Sequence, residues 1–239
     1  MKYIVMPAFN AAATLKATIE SIPDRTNYHL LLCDDGSSDN TAEVARQLGI
    51  EVIKHPENRG YGANQKSLYR LMRERGAEVI VMLHPDNQYD GSAIPKMVEL
   101  IDRNQADLIL GNRMFDQAAK LGGMPWWKRW SNRILSSTQR LVYGVQLTEF
   151  HSGLRAYRHQ ILDHIDFMKF SDDFVFDSEI IAAAISHGYR LAEVPTQARY
   201  FNEASSINLK RSLAYGLASL KVLLRFRRGD YKPALTHYA

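Results

Sequence analysis

The sequence predicts an α/β fold with a mostly parallel central sheet flanked by helices. The main observation is that short apolar runs alternate with helix-length segments through the first hundred residues. The apolar runs are typical of buried parallel strands and cover Tyr3–Met6, Leu30–Cys33, Glu51–Ile53, Val79–Leu83 and Leu108–Leu110. The segments between them are Ala11–Ser21, Thr41–Leu48 (with Asp39 as its expected N-cap), Gly62–Arg75 and Ile94–Arg103. This alternation predicts βαβ units.

The alternation stops after about Gly111. The sequence then predicts a long helix over Met124–Tyr143, an acidic helix around Asp177–His187 and a strand over Arg190–Pro195. No linker, repeat or low-complexity tract separates the two halves, so we expect all 239 residues to form one domain.

Composition excludes some classes of protein and selects no partner. The single cysteine, Cys33, excludes internal disulfides and lies in an apolar run, as a buried strand residue would. A spanning helix needs roughly 20 apolar residues, and no stretch reaches that length. The net charge of +4 is too modest to indicate a ligand by itself.

Clusters of polar residues follow the predicted strands. They are Pro7–Asn10, Asp34–Asp39, His84–Gln88 and Gly111–Arg113. Ligands of open parallel sheets bind outside the carboxyl ends of the strands. The sequence therefore predicts a binding site along that edge.

Two of these clusters carry recognisable chemistry. Asp34 and Asp35 place adjacent carboxylates at the end of a buried strand, where charge is costly unless it binds something, although a turn and a helix cap explain the residues after them. Asp86, Gln88 and His84 are potential ligands for Mg²⁺ or Mn²⁺, ions that take few protein ligands when a diphosphate supplies the rest. A simple cap at Asp86 is an equal alternative.

Two further segments are less specific. Asn58–Asn64 is a glycine-containing loop that runs into a helix and is explained equally by anion binding or by a tight turn. His151–Arg158 combines a hydroxyl, a glycine and two guanidinium groups. Together with Arg113, its arginines suit phosphate recognition.

In this order the segments resemble the family 2 glycosyltransferases, and in particular the dolichol- and polyprenyl-phosphate sugar synthases. The resemblance spans about residues 2–210 and rests on four matches. Pro7–Asn10 resembles the opening Pro-x-Tyr-Asn, Asp34–Thr41 the Asp-Asp-Gly-Ser motif, Asn58–Ala63 the Asn-x-Gly-x-Gly loop and Ser152–Tyr157 the Ser-Gly-Phe-Arg-Ala-Tyr segment.

The resemblance implies a GT-A fold and an inverting hexosyltransferase that uses a UDP- or GDP-sugar and Mg²⁺ or Mn²⁺. It implies nucleotide-sugar contacts from Pro7, Phe9, Asn10, Asp34, Asp35, Gly60, Asp86 and Gln88. Metal ligands would be Asp86, Gln88 and His84. Arg113, Ser152 and Arg155 would meet the acceptor phosphate, and Asp86, Arg113 and Arg155 would act in catalysis. Residues 1–111 would form the nucleotide-sugar half, 112–205 the acceptor half and 206–239 a basic amphipathic helix and tail.

Three positions depart from the family pattern. His84 replaces the first Asp of Asp-x-Asp, and Ala11 replaces a Glu that commonly follows the opening Asn. The late Arg…Ser-Lys element of the family has no clean match in Glu203–Asn208. Arg199, Lys210 or Arg211 would substitute for its basic residues.

The acceptor determines the mechanism. A polyprenyl or dolichyl phosphate is already anionic and needs no strong base, so positioning and charge neutralisation would suffice. A glycan hydroxyl would need a carboxylate base, for which Asp177 and Glu179 are candidates, although the same pair also suits a helix N-terminus. A third alternative is a nucleotide-sugar-binding module with weak activity.

The C-terminal segment bears on localisation. Residues Asn208–Arg228 predict an amphipathic helix with basic ends, which suits either an anionic membrane interface or ordinary core packing. With a lipid acceptor we expect a cytoplasmic protein, peripheral on the cytoplasmic face of the membrane through this helix or a membrane-anchoring partner. No nucleic acid is expected as a ligand.

Overall fold

The computed structural model describes residues 1–114, 126–198 and 209–233, with the side chains of residues 128 and 209–213 left out. Within these ranges seven strands form one sheet in the order β3-β2-β1-β4-β6-β5-β7. The strands are β1 Lys2–Ala8, β2 His29–Asp34, β3 Glu51–Lys54, β4 Val79–Met82, β5 Leu108–Asn112, β6 Arg155–Arg158 and β7 Leu191–Pro195. All neighbouring pairs are parallel except those made by β6, which runs antiparallel to β4 and β5.

Helices cover both faces of this sheet. They are α1 Leu15–Glu20, α2 Thr41–Gln47, α3 Tyr61–Glu74, α4 Ile94–Asp102, α5 Trp126–Tyr143, α6 His159–His164, α7 Phe176–Ser186 and α8 Leu209–Arg228. Successive residues of β1 point to opposite faces, so that Ile4 joins the core beneath α1 and α4 while Val5 joins the core beneath α3 and α7. None of the helices in the described ranges is long and apolar enough to cross a bilayer.

The predicted α/β fold with a mostly parallel sheet is confirmed, and the differences lie at element ends. Helix α1 begins at Leu15 rather than Ala11, and the residues before it form a turn in which Thr14 N and Leu15 N donate to Ala11 O over 3.1 and 3.0 Å. The prediction of Asp39 as the N-cap of α2 is wrong by one residue. Asn40 occupies that position, while Asp39 Oδ1 accepts from Thr41 N over 3.0 Å.

Strand β6 is absent from the sequence prediction. It begins and ends with arginine, and charged ends indicate an exposed segment rather than a central strand. Arg155 is nevertheless only 1% exposed, and its guanidinium pairs with Asp177 of α7. A charge can occupy the middle of this sheet because a neighbouring helix supplies the counter-charge.

The topology gathers the predicted site at one edge. Strands β1, β2, β4 and β5 end there, and antiparallel β6 begins there. The polar segments after the four parallel strands therefore share this edge with Ser152–Leu154, which precedes β6.

Candidate functional site

The loops that follow β1 and β2 are bonded to each other. Asn10 adopts a left-handed conformation with φ of 52°, its N–H donates to Ser37 Oγ over 2.8 Å, and its Oδ1 accepts from Ser38 N over 2.9 Å. Pro7 lies buried inside β1, whereas Phe9 is 52% exposed. Phe9 thus presents an open aromatic face next to the acidic loop.

Asp35 connects that acidic loop to the glycine loop before α3. Its Oδ1 accepts from His55 Nδ1 over 2.6 Å and from Arg59 N over 3.0 Å, and its Oδ2 accepts from Gly60 N over 3.0 Å. A carboxylate has about four acceptor positions, so these donors leave about one for a ligand. Asp35 is therefore a support for the loop as well as a candidate contact.

Asp34 is completely buried at the end of β2. Its Oδ1 accepts from Ser37 N over 2.9 Å, and its Oδ2 lies 3.6 Å from Lys54 Nζ. Gly36 completes the turn with a φ of +70°, and an added Cβ there would lie 2.7 Å from the backbone carbon of Glu57. Only glycine fits between the two loops at this position.

The glycine loop is seated on the segment before α7. Gly62 donates its N–H to Asp172 O over 2.7 Å, and an added Cβ would lie 2.8 Å from the Asp172 carbonyl carbon. Both are backbone atoms, so neither can rotate away. This approach fixes Tyr61, the first residue of α3, beside α7.

Gly62→Ala is expected to destabilise the protein by about 1–3 kcal/mol, because overpacking against backbone outweighs the helix propensity that alanine adds. The matched control is Gly216→Ala in α8, where nothing lies within 4 Å of the added Cβ. That change is expected to be neutral or to stabilise by up to about 1 kcal/mol. Urea unfolding of both variants measures the difference, and equal midpoints would contradict the seating of the loop.

A chain of hydrogen bonds runs from α7 through Tyr61 to His84. Tyr61 OH donates to Asp177 Oδ2 over 2.7 Å and lies 2.9 Å from His84 Nε2. The phenol has one proton and gives it to the carboxylate, so its oxygen accepts from His84 Nε2–H. Burial lowers the pKa of His84, so the ring is neutral and its Nδ1 carries a lone pair.

Arg155 and Asp177 form a buried ion pair at the base of this chain. Asp177 accepts additionally from Gln65 Nε2 over 2.9 Å. Burial alone would raise the pKa of Asp177, but Arg155 and the hydrogen bonds from Tyr61 and Gln65 outweigh it and lower the pKa. Arg155 Nε donates to Ser152 O over 2.8 Å, which links the pair to the segment before β6.

Arg113 has a comparable partner. The backbone N–H and the side-chain Nε of Arg113 donate to the two carboxylate oxygens of buried Glu149 over 2.6 and 2.7 Å. The guanidinium of Arg113 lies 5.5 Å from the centre of the Tyr89 ring. The Ser152 hydroxyl is buried and bonds Leu154 in a local turn. The three residues expected at an acceptor phosphate are therefore buried and internally bonded.

The segment after β4 carries the predicted metal ligands. Asp86 is half-buried and its Oδ1 accepts from Gln88 N over 3.0 Å, while Gln88 is 8% exposed. Gly153 lies against the His84 ring, where an added Cβ would lie 3.0 Å from Nε2. In the described ranges no three His, Cys, Asp or Glu side chains converge on a point. A cation here would need oxygen ligands from a diphosphate and water.

A cavity of about 470 Å³ lies between the end of β5 and α5. Its lining includes Arg133 and Arg140 on α5, together with Asn112, Met114, Ser136, Ser137, Leu147 and Thr148. Within the part of the chain that the structure describes, neither guanidinium has a carboxylate within 4.0 Å. The sequence prediction missed both residues. Their spacing of seven along one predicted helix face is the pattern that points to them.

The two candidate bases are occupied. Asp177 accepts from Arg155, Tyr61 and Gln65, while Glu179 accepts from Ser171 N over 2.7 Å and pairs with Arg225 of α8 over 2.7 Å. Both acids lie in the first turn of α7, as the helix-dipole interpretation predicted. The proposed substitutes for the late basic element lie outside the description, since Arg199 is in an omitted range and the side chains of Lys210 and Arg211 are not described.

Comparison with known proteins places this geometry in a family. The model of glycosyl transferase family 2 matches residues 3–166. A UDP-N-acetylglucosamine–dolichyl-phosphate N-acetylglucosaminyltransferase of Methanococcus voltae is 25% identical, and the match covers 83% of this chain and 85% of the relative. Polyprenol monophosphomannose synthase of Mycolicibacterium smegmatis is 24% identical, over 80% and 75% of the two chains.

A solved structure shares the fold. It is glucosyl-3-phosphoglycerate synthase of Mycobacterium tuberculosis in complex with Mn²⁺ and UDP-glucose, with a TM-score of 0.71, 18% identity and coverage of 98% of this chain and 80% of the other. The fold is therefore GT-A, as predicted. The family match covers more than half of the sequence and includes the loops described above. The chain belongs to glycosyl transferase family 2 and is a glycosyltransferase.

Proposed function

We propose that this enzyme transfers a sugar from a UDP- or GDP-sugar to the phosphate of a polyprenyl or dolichyl lipid, with inversion at the anomeric carbon. The observation that carries this proposal is the cavity beside β5, because it combines two guanidinium groups that lack carboxylate partners in the described ranges with apolar lining from Met114 and Leu147. Arginine suits bidentate contact with phosphate, and an apolar wall suits the first carbons of a lipid. Relatives named as dolichyl- and polyprenyl-phosphate sugar transferases support the same acceptor class.

The donor would lie at the carboxyl ends of β1 and β2. Pro7, Phe9 and Asn10 would border the nucleoside, with Phe9 offering an exposed aromatic face. Asp35 would accept from a base or ribose donor, since it keeps about one free acceptor position. Asp34, which is completely buried, would act by holding the turn through Ser37 N rather than by touching the nucleotide. Gly60 would allow close approach of the donor to the glycine loop.

Mg²⁺ or Mn²⁺ would be held by Asp86, Gln88 and the unprotonated Nδ1 of His84. This donor set of oxygens and one imidazole fits either ion when diphosphate oxygens complete the coordination. The ion would neutralise charge on the leaving nucleoside diphosphate. Tyr61 and Asp177 would keep His84 in the tautomer with its Nδ1 lone pair exposed, as residues behind a metal ligand commonly do.

The acceptor phosphate would bind between Arg133 and Arg140. Because its oxygen is already anionic, the reaction needs positioning rather than a strong base. The occupied state of Asp177 and Glu179 agrees with this requirement. Arg113 and Arg155 would act by holding Glu149, Asp177 and the segment before β6 in place. We further propose a peripheral position on the cytoplasmic face of the membrane, with α8 or a membrane-anchoring partner protein contributing.

The function is tested by calorimetric titration of UDP and of GDP, each with and without Mn²⁺, followed by transfer of labelled sugar to polyprenyl phosphate and to polyprenol. Metal-dependent binding of one nucleotide and label in the organic phase only with the lipid phosphate are the expected results. Transfer to a water-soluble glycan instead would favour a hydroxyl acceptor. If the folded protein binds neither UDP nor GDP, the proposal is contradicted.

Tyr61→Phe is expected to weaken Mn²⁺ binding in the presence of UDP roughly 10- to 100-fold, because His84 loses the acceptor that fixes its tautomer. Electron paramagnetic resonance of free Mn²⁺ measures the affinity without any turnover. Tyr189→Phe is the matched control, since its hydroxyl also contacts a histidine, His164, over 2.7 Å but on the surface. Equal affinity in both variants would remove Tyr61 from the metal site.

Arg133→Ala is expected to raise the KM for polyprenyl phosphate roughly 10- to 100-fold, since a charge-assisted hydrogen bond contributes about 1.5–3 kcal/mol. Donor affinity should not change, because Arg133 lines the cavity beside β5 rather than the loops proposed to hold the donor. Arg46→Ala, at an exposed position of α2, is the control. An unchanged KM would place the acceptor phosphate elsewhere.

A further inference from the structure

Helix α5 exposes large apolar residues on one side and buries two polar residues on the other. Its outer face exposes Trp126 (71%), Trp130 (57%), Ile134 (64%) and Leu141 (84%), and spacings of four and seven residues keep them on one side of the helix. Its inner face buries Ser136 (3% exposed) and Gln139 (1%) together with Tyr143 (7%). A helix of a water-soluble protein normally turns its apolar side inward. The outer face of α5 is therefore suited to an apolar neighbour.

Helices α5 and α8 carry side-chain charge of one sign. Helices α5 and α8 together contain ten of the 30 Lys and Arg residues and none of the 26 Asp and Glu residues, so the rest of the chain is net acidic. The two helices meet where the centres of the Tyr143 and Phe226 rings lie 4.7 Å apart. Helix α8 also exposes large apolar residues, namely Leu217 (57%), Leu220 (42%) and Leu224 (58%).

We propose that the exposed apolar face of α5 lies in the interface of an anionic lipid bilayer. Tryptophan favours the level of the headgroups, and a helix with an apolar face and a basic flank binds anionic lipid. A second copy of the chain is the less suitable occupant, because a symmetric contact would bring two basic faces together.

This orientation has a consequence for the cavity beside β5. Arg133 and Arg140 immediately precede Ile134 and Leu141 in α5, so the guanidinium groups line the cavity while the next residues enter the lipid. The phosphate of a lipid acceptor lies at the same depth as the headgroups. This link between the cavity and the bilayer rests on the proposed function, since only a lipid acceptor requires the cavity to face the bilayer.

The protein contains its own probe for this contact. Its three tryptophans are Trp126, Trp127 and Trp130, all in the first two turns of α5, so tryptophan emission reports only on this helix. Adding vesicles of phosphatidylcholine with about a quarter phosphatidylglycerol is expected to shift the emission to shorter wavelength, with quenching by brominated lipid. Pure phosphatidylcholine vesicles should give a much smaller shift.

The test variant is Ile134→Gln with Leu141→Gln, which keeps every tryptophan and every residue of the cavity. Loss of two apolar anchors is expected to reduce vesicle affinity roughly 10-fold or more. Met168→Gln, which changes an exposed apolar residue (44%) outside both helices, should bind as the unchanged protein does. Calorimetric binding of nucleotide with Mn²⁺ should be the same in all three proteins and reports on the donor site separately.

Three outcomes would overturn the inference. The first is no spectral shift with anionic vesicles, and the second is a vesicle affinity of the double variant equal to that of the unchanged protein. The third is that the unchanged protein sediments as a dimer and the double variant as a monomer. In each of these cases intact nucleotide binding would leave the proposed function standing. Vesicle binding through α5 without binding of either nucleotide would support the membrane face and overturn the proposed function.

Discussion

Asp86→Ala is expected to abolish the metal-dependent part of nucleotide binding and to lower kcat roughly 10²–10³-fold, the usual cost of removing one group that stabilises developing charge. Asp86 is the only carboxylate of the described His84–Gln88 segment, so no neighbour within it supplies a second anionic ligand. Because the side chain is half-buried on a loop, its loss should leave folding nearly intact. Titration of UDP and GDP with and without Mn²⁺, together with initial rates, measures both effects.

Asp24→Asn is the control for this change, because Asp24 is an exposed acid with positive φ, a conformation that asparagine adopts readily. It should bind nucleotide and metal as the unchanged protein does. If Asp86→Ala keeps its metal dependence, the cation is held elsewhere, and Gln88 and His84 lose their proposed role with it.

Asp177→Ala is expected to lower the free energy of unfolding by about 3–5 kcal/mol, because it leaves the guanidinium of Arg155 buried without its counter-charge. Tyr61 and Gln65 lose their acceptor in the same change. The lowered pKa of Asp177 adds a test by pH. The carboxylate stabilises the fold above the pKa of an unfolded aspartate, about 3.9, and this contribution is lost as the pH falls through the lower pKa of the folded state.

Urea unfolding at neutral pH measures the loss, with Asp163→Ala as a control of 42% side-chain exposure that should change stability by less than about 0.5 kcal/mol. Replacing both partners, Asp177→Leu with Arg155→Met, should recover much of the loss because no uncompensated charge remains. A loss below about 1 kcal/mol in Asp177→Ala would mean that water or another acid reaches Arg155.

The first half of the fold could be predicted because its strands and helices follow hydrophobic periodicity, which depends on nearby residues alone. Strand β6 could not, since Arg155 reads as a surface residue until Asp177, 22 positions later, is known to lie beside it. Local pattern fails where a distant residue changes the cost of burial.

The site divides in the same way. Asp34, Asp35, Asp86 and Gln88 follow strand ends, and parallel topology alone gathers them at one edge. The partners of Arg113 and Arg155 are invisible in sequence, because a basic residue near a polar motif looks the same whether it meets a ligand or a buried acid. The sequence prediction missed Arg133 and Arg140 as cavity residues, since nothing local shows that α5 packs beside the end of β5.

The position of β6 makes the order of synthesis matter. Among the described strands, β5 pairs with β6 and β7, both of which follow it along the chain, so neither of these partners exists when residues 108–112 leave the ribosome. The first four strands can assemble as they emerge, but the sheet is complete only after β6, which ends at Arg158, inserts between β4 and β5. A fragment that ends near residue 112 would therefore carry an open sheet edge at β4 and an unpaired β5, both prone to aggregate. Residues 1–112, which we propose to hold the donor site, are therefore not expected to form a stable separate unit.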